Sequence, residues 1–186
     1  MPFPTITELR TPRVLVRPVT FDDISDLFEV NGDDEVTKFL PYTTWTSTDD
    51  GVAWLRRMED LADSGTAQQL VVQRVLDGKV LGGVLLFKHE PSSARLEIGY
   101  VLGRQHWRQG FGREAMAAIC GHLFQQAGIR RIEAEVDPGN VASGALLRSL
   151  GFTLEGRLRE RWVGKGGRTS DSCLYGCLAR EWAAQG

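Results

Sequence analysis

The stretch from Leu96 to Ala115 constrains this chain more than any other part of it. It reads Leu-Glu-Ile-Gly-Tyr-Val-Leu102, a short connection, and then Trp107-Arg-Gln-Gly-Phe-Gly-Arg-Glu-Ala115. A strand-like run feeds a glycine-containing turn, and the turn opens into a helix with Met116, Ile119, Cys120, Leu123 and Phe124 on one face. The first N–H groups of such a helix have no partner within it, and the helix dipole adds partial positive charge at that end. Gly110 and Gly112 bring no side chain, so an anion can approach the backbone. Arg108 and Arg113 add full charges. The pattern points to a loop that holds a phosphate or diphosphate, although two glycines can also serve the turn geometry alone.

Several phosphate ligands use such loops. Gly110-Phe-Gly112-Arg-Glu-Ala115 fits the dinucleotide pattern G-x-G-x-x-G/A in form. It stands late in the chain, however, behind an antiparallel meander, and too few residues follow for a second nucleotide-binding half. The Gly-Lys-Ser/Thr of a nucleoside-triphosphate loop is not in the stretch.

The rest of the chain supplies the context. Arg13 to Val19 alternates around Val14 and Val16 and predicts a first strand. Thr20-Phe-Asp-Asp23 predicts a helix start, with Ile24, Leu27 and Phe28 on one face, and Ser47-Thr-Asp-Asp50 a second start, closed by Gly65. Strands follow over Gln69–Leu76 and Val80–His89, joined by the hairpin signal Asp77-Gly78, and then over Arg95–Leu102. After the loop and its helix, closed by Gly128, come a strand Arg131–Val136 and a helix Asn140–Ser149 ended by Gly151. Phe152–Val163 and Arg168–Leu178 form a last strand pair around Gly164-Lys-Gly-Gly167. The order is β-α-α-β-β-β-α-β-α-β-β. The second, third and fourth strands should form an antiparallel meander, and the fourth and fifth, separated by a helix, should run parallel.

At 186 residues, with 42% apolar and 25% charged, the chain suits one domain over 1–186 with a sizeable core. A net charge of −2 gives no general attraction to nucleic acid or an anionic membrane. The odd cysteine count (Cys120, Cys173, Cys177) fits reduced thiols in a cytoplasmic protein. No apolar run has the length of a signal peptide or membrane span. His89, His106 and His122 share no ligand spacing, so no metal is expected.

Trp107-Arg-Gln-Gly-Phe-Gly112 resembles the acetyl-CoA motif Q/R-x-x-G-x-G/A of the GCN5-related N-acetyltransferases (GNAT superfamily). More narrowly, the chain is similar to the ribosomal-protein N-terminal (alanine/serine) acetyltransferase branch. The residues that carry the likeness are Glu97-Ile-Gly-Tyr100, the loop itself, Glu114-Ala115, Asn140-Val-Ala-Ser143, Leu150-Gly-Phe152 and Glu155-Gly156. Trp107 departs from the usual Gln or Arg, at a position that acts mainly through its backbone.

The resemblance implies an α/β (α+β) fold. Its mixed, mostly antiparallel sheet has about seven strands, splayed between the fourth and fifth and flanked by four helices. It implies a bulge in the fourth strand and a cleft beside it for the pantetheine arm of acetyl-CoA, the co-substrate. Tyr100, Val101 and Leu102 would face that arm. Arg108, Gln109, Gly110, Phe111, Gly112 and Arg113 would wrap the diphosphate. Asn140 would bond the pantetheine region, although asparagine is also an ordinary helix cap.

Catalytic roles follow in the same way. Glu97 resembles the strand glutamate that serves as general base, and an ion-paired strand residue is the alternative. Ser143 resembles the serine that orients or protonates the thiolate, and a helix-face hydroxyl is the alternative. Glu135 sits where some ribosomal-protein enzymes keep a base, but their tyrosine acid falls on Leu147 here. Relatives with the serine also carry a strand glutamate where this chain has Trp162. The alternating Arg157, Arg159 and Arg161, with Lys165 and Arg168 at the turn, suit either an acidic substrate or a solvated strand face. Trp45 and Trp54 suit packing better than a substrate pocket.

The acceptor implied is a protein N-terminal amine or a small amine such as an amino acid or aminoglycoside-like molecule, and a homodimer is compatible. Two rivals stand beside this reading: a dinucleotide-dependent oxidoreductase and a non-catalytic acyl-CoA sensor.

Overall fold

In the computed structural model, residues 2–164 and 167–183 are described, and they build one eight-stranded sheet. The N-terminal part supplies β1 (Leu9–Arg10), β2 (Val14–Pro18), α1 (Ile24–Asn31), α2 (Asp34–Thr37) and α3 (Thr48–Asp63). The meander is β3 (Ala67–Arg74), β4 (Val80–Glu90) and β5 (Arg95–Leu102). Then come α4 (Phe111–Gln125), β6 (Arg131–Val136), α5 (Val141–Ser149), β7 (Thr153–Val163), β8 (Thr169–Leu178) and α6 (Ala179–Ala183). The strand order is β1-β2-β3-β4-β5-β6-β8-β7, antiparallel throughout except for β5 against β6.

The predicted α/β architecture is therefore present, with two corrections. The two-residue β1 makes eight strands rather than about seven. The described residues hold six α-helices rather than four, because the single turns α2 and α6 were not expected. Such short pieces carry too few residues for a periodic signal. Lys165, expected to flank the last turn, lies outside the described residues. The dinucleotide reading of the loop loses its ground, since the loop follows an antiparallel meander inside a mixed sheet.

Local chemistry accounts for the elements that frame the site. Ser47 caps α3 by accepting the Asp49 N–H at 3.3 Å, and Asp50 returns the favour to the Ser47 N–H at 3.3 Å. Alternation sets the two faces of the sheet. Leu70, Val72, Val84, Leu86, Leu96, Ile98, Ile132 and Ala134 are buried with Met116, Ile119 and Leu123 of α4 in the main core. Leu27, Trp45, Val71 and Val80 form a smaller cluster on the other face, with Trp54 packed against it. Both tryptophans are thus packing residues. The three cysteines are free thiols.

The feature that positions the site is a fork in the sheet. β5 and β6 pair only at Arg95↔Arg131, Leu96↔Ile132 and Glu97↔Glu133. Beyond Glu97, β5 stays on β4 as far as Leu102, while β6 stays on β8 as far as Val136. The strands separate, as expected of the fourth and fifth predicted strands. The bulge, however, is not in β5, whose register from Glu97 to Leu102 is continuous. It lies in β4, where Lys88 and His89 together stand opposite Leu96 and Lys88 has φ +50°. Gly82 lets β4 approach closely, since a side chain there would come within 2.1 Å of the Val101 carbonyl oxygen.

Candidate active site

At the open end of the fork lies the loop from Trp107 to Arg113. Gly110 is left-handed, with φ +83°, and is the residue from which α4 starts. The Glu114 N–H is the first to close on the new helix, donating to the Gly110 carbonyl at 3.0 Å. The N–H groups of Phe111, Gly112 and Arg113 thus belong to the unpaired first turn. Arg108, also at positive φ (+59°), and Arg113 are exposed beside them. This is the geometry of an anion cradle. Gly112 fits between the two sides of the fork: a side chain there would meet Leu146 of α5 at 3.6 Å and Leu102 at 3.9 Å.

Two residues fix this loop in ways the sequence did not announce. Arg13, in the turn between β1 and β2, donates from Nε to Glu114 Oε2 at 2.6 Å and from Nη1 to the Gln109 carbonyl at 2.9 Å. Its guanidinium also stacks 4.8 Å over the Phe111 ring. Partners 101 residues apart leave no local signal. Trp107 acts through its side chain as well as its backbone, its indole N–H donating to the Leu102 carbonyl at 2.7 Å.

Within the fork the exposed resource is the edge of β5. The Gly103 N–H donates to Leu81 on the β4 side. By strand alternation the N–H and C=O groups of Ile98, Tyr100 and Leu102 face the opposite way, toward the opening. Of the three residues predicted to face a pantetheine arm, Tyr100 thus offers its N–H and C=O and Leu102 its N–H, the Leu102 carbonyl being taken by the Trp107 indole, while Val101 points its own to Gly83 of β4. An extended ligand could pair with that edge as an added strand.

Tyr100 and Ser143 meet across the opening. The phenol lies 2.6 Å from Ser143 Oγ and donates at 3.2 Å to its carbonyl. Burial pushes the phenol well above its ordinary range, so it keeps its proton at neutral pH. Asn140 caps α5, its Oδ1 accepting the Ser143 N–H at 3.2 Å. Leu147 is fully buried and carries no acid, but Tyr175 reaches α5 from β8 and accepts from Arg148 Nη1 at 2.9 Å.

On the other face of the sheet, Glu97 occupies the last paired position before the fork, with only 6% of its surface exposed. Its Oε2 accepts from Lys88 Nζ at 2.7 Å. Lys88 also lies 3.7 Å from Glu135 Oε1. Glu135 in turn accepts from Arg161 Nη2 at 3.1 Å and from the Trp162 indole at 3.0 Å. The two carboxylates are driven apart. Burial raises Glu97 despite Lys88, while for Glu135 the opposing effect of burial is outweighed by Arg161, Lys88 and Trp162, which hold it low. Glu97 is therefore the better proton acceptor of the two near neutral pH.

The expected arginine stripe is interrupted. β7 changes register between Leu158 and Trp162, with Glu160 at φ +48°, so Arg157, Arg159 and Arg161 do not share one regular face. Arg157 pairs with Asp171 at 2.7 Å, and Arg161 with Glu135. No group of three or more His, Cys, Asp or Glu among the described residues is arranged to hold a metal ion.

Comparison with known proteins agrees with this geometry. The sequence profile of the acetyltransferase (GNAT) domain matches residues 13–153. The chain is 34% identical over 175 residues to an uncharacterized N-acetyltransferase, p20, of Bacillus licheniformis, covering 94% of this chain and 98% of the relative. It is 30% identical over 84 residues to the ribosomal-protein-serine acetyltransferase of Escherichia coli, covering 45% of this chain and 47% of that enzyme. Among solved structures, a GCN5-related N-acetyltransferase from Brucella melitensis superposes with a TM-score of 0.89 at 25% identity, covering 98% of this chain and 83% of the other.

Proposed function

Because the chain belongs to the acetyltransferase (GNAT) domain family, we propose that it transfers the acetyl group of acetyl-CoA to a primary amine. In this proposal the amide cradle at Arg108–Arg113, with Gln109 and Phe111 in it, receives the coenzyme diphosphate, and the open edge of β5 receives the pantetheine arm. The observation that carries the reading is the fork itself: an anion cradle at its mouth, free main chain along one side, and a buried carboxylate where it closes.

The residues divide the work. When bound, the coenzyme supplies an activated thioester. An N–H on the open edge of β5 polarises its carbonyl. An ammonium acceptor is mostly protonated near pH 7, since an α-amine has a pKa of about 8 and a lysine about 10.4. Glu97, directly or through water, takes that proton. The Tyr100–Ser143 hydroxyl pair returns one to the departing thiolate. Asn140 is left to steady the start of α5, with its Nδ2 available to the arm.

The acceptor we favour is a protein N-terminal α-amine in the cytoplasm. Its support is the similarity to a ribosomal-protein-serine acetyltransferase over about half the chain. Thiol release from acetyl-CoA should be measured against N-terminal peptides and small amines. Release with peptides alone supports the reading, and release only with small amines moves the acceptor to that class. No release from any amine, with acetyl-CoA still bound, leaves a sensor. Glu97→Gln and Ser143→Ala should each bind acetyl-CoA with unchanged affinity and lose turnover, and full turnover in both overturns the residue roles.

A further inference from the structure

The bulge in β4 has a structural cost and a specific product. A lysine at φ +50° is in a left-handed region that non-glycine residues occupy only where the surrounding structure holds them there. In a regular strand, Lys88 would point to the face opposite Phe87 and Glu97. The extra residue of the bulge re-aims it. Its ammonium then reaches Glu97 Oε2 at 2.7 Å and stands 3.7 Å from Glu135 Oε1. It also lies 5.3 Å from the Phe87 ring and 5.6 Å from that of Trp162. Among the described residues, Lys88 holds the Glu97 carboxylate by Oε2 and none donates to Oε1.

We propose that Lys88 is a positioning residue for the transfer: its ammonium, turned by the β4 bulge, keeps the Glu97 carboxylate charged and oriented so that Oε1 is left for the acceptor amine. The inference rests on the reading of Glu97 as the base. The charges that face Glu97 make the need plain. Burial disfavours its charge most, and Glu135 and Glu133 of β6 repel it further. Lys88 from β4 opposes them at hydrogen-bond distance, with Arg161 from β7 acting from beyond Glu135. Arg161 and Trp162 hold Glu135 and leave Lys88 to Glu97.

The test compares Lys88→Met and Lys88→Arg with the unaltered chain, with circular dichroism and acetyl-CoA affinity confirming that both variants fold. A ¹³C-carboxyl titration of Glu97 needs no turnover. Its midpoint should move up in Lys88→Met and return toward the original in Lys88→Arg. The acid limb of kcat/KM should move the same way, by about one pH unit, so that activity on that limb falls about tenfold. A Glu97 midpoint unmoved in Lys88→Met, or a loss of kcat/KM equal at every pH, overturns the inference. Loss of turnover in Glu97→Gln together with an unmoved midpoint sinks this inference alone. Full turnover in Glu97→Gln sinks the base reading and takes this inference with it.

Discussion

Tyr100 and Ser143 show how much one contact carries. Their hydroxyls are 2.6 Å apart, and they join β5 to α5 across the opening of the sheet. Tyr100→Phe removes both hydrogen bonds of the phenol, to Ser143 Oγ and to the Ser143 carbonyl, and leaves the ring. It should cost about 1 kcal/mol in urea denaturation and slow turnover more than it weakens acetyl-CoA binding, if the pair returns the proton to the thiolate. Glu97 makes the opposite case. Burial raises its pKa in the folded chain. For a carboxylate this sign means that folding favours the protonated form: the stabilising contribution is full below the unfolded pKa and is lost as pH rises through the folded one. Glu97→Gln, a neutral mimic of the acid, should therefore raise Tm at pH 7. The difference should shrink as the pH falls and Glu97 itself takes up a proton. Scanning calorimetry at pH 7 and at about pH 4 checks this, and a lowered Tm at pH 7 would contradict it.

At the scale of elements, the start of α4 is the most exacting point in the chain. Gly110 needs φ +83°, and an added Cβ would stand 3.1 Å from Arg13 Nη2. Gly110→Ala should cost about 1–2 kcal/mol from the left-handed backbone alone, read from the denaturant midpoint. It should also weaken acetyl-CoA binding by up to about fivefold, the size of a helix-terminus charge interaction. This element was legible in the sequence because glycine, arginine and an apolar helical face fall together within a few residues. The meander was legible for a similar reason, with Asp77-Gly78 marking its first turn and Gly78 taking φ +76°. The β4 bulge and the break in β7 were not, because Lys88 and Glu160 reach positive φ without glycine's local signal. Pairing across the sheet decides those two positions, and no window of sequence contains it. The Arg13–Glu114 clamp and the Lys88–Glu97–Glu135 cluster were hidden for the same reason.

For the molecule as a whole, acid should act mainly through carboxylates that the fold keeps ionised. Asp23 is 4% exposed and gripped by both terminal nitrogens of Arg17, at 2.7 and 2.8 Å. Burial alone would raise its pKa, but Arg17 and the Thr20 N–H together hold it below the ordinary 3.8. Glu135, Glu114 and Glu155 are likewise held below 4.5. A depressed carboxylate gives stability that is present above its unfolded pKa and lost as pH falls through the folded value. The urea midpoint should accordingly drop between about pH 5 and pH 3. Asp23→Asn should cost about 2–3 kcal/mol at pH 7 and flatten that slope, and an unchanged slope would count against the Arg17–Asp23 pair.

The fork has a mechanical consequence. Five strands lie on one side of the seam and three on the other, and the seam is stitched by only three residue pairs. A guest laid along the unstitched length would work as mortar, adding main-chain ties between two leaves that otherwise share side-chain contacts and a common core. Under the proposed function, strength in this chain would be partly borrowed from the coenzyme it handles, and handed back at each release.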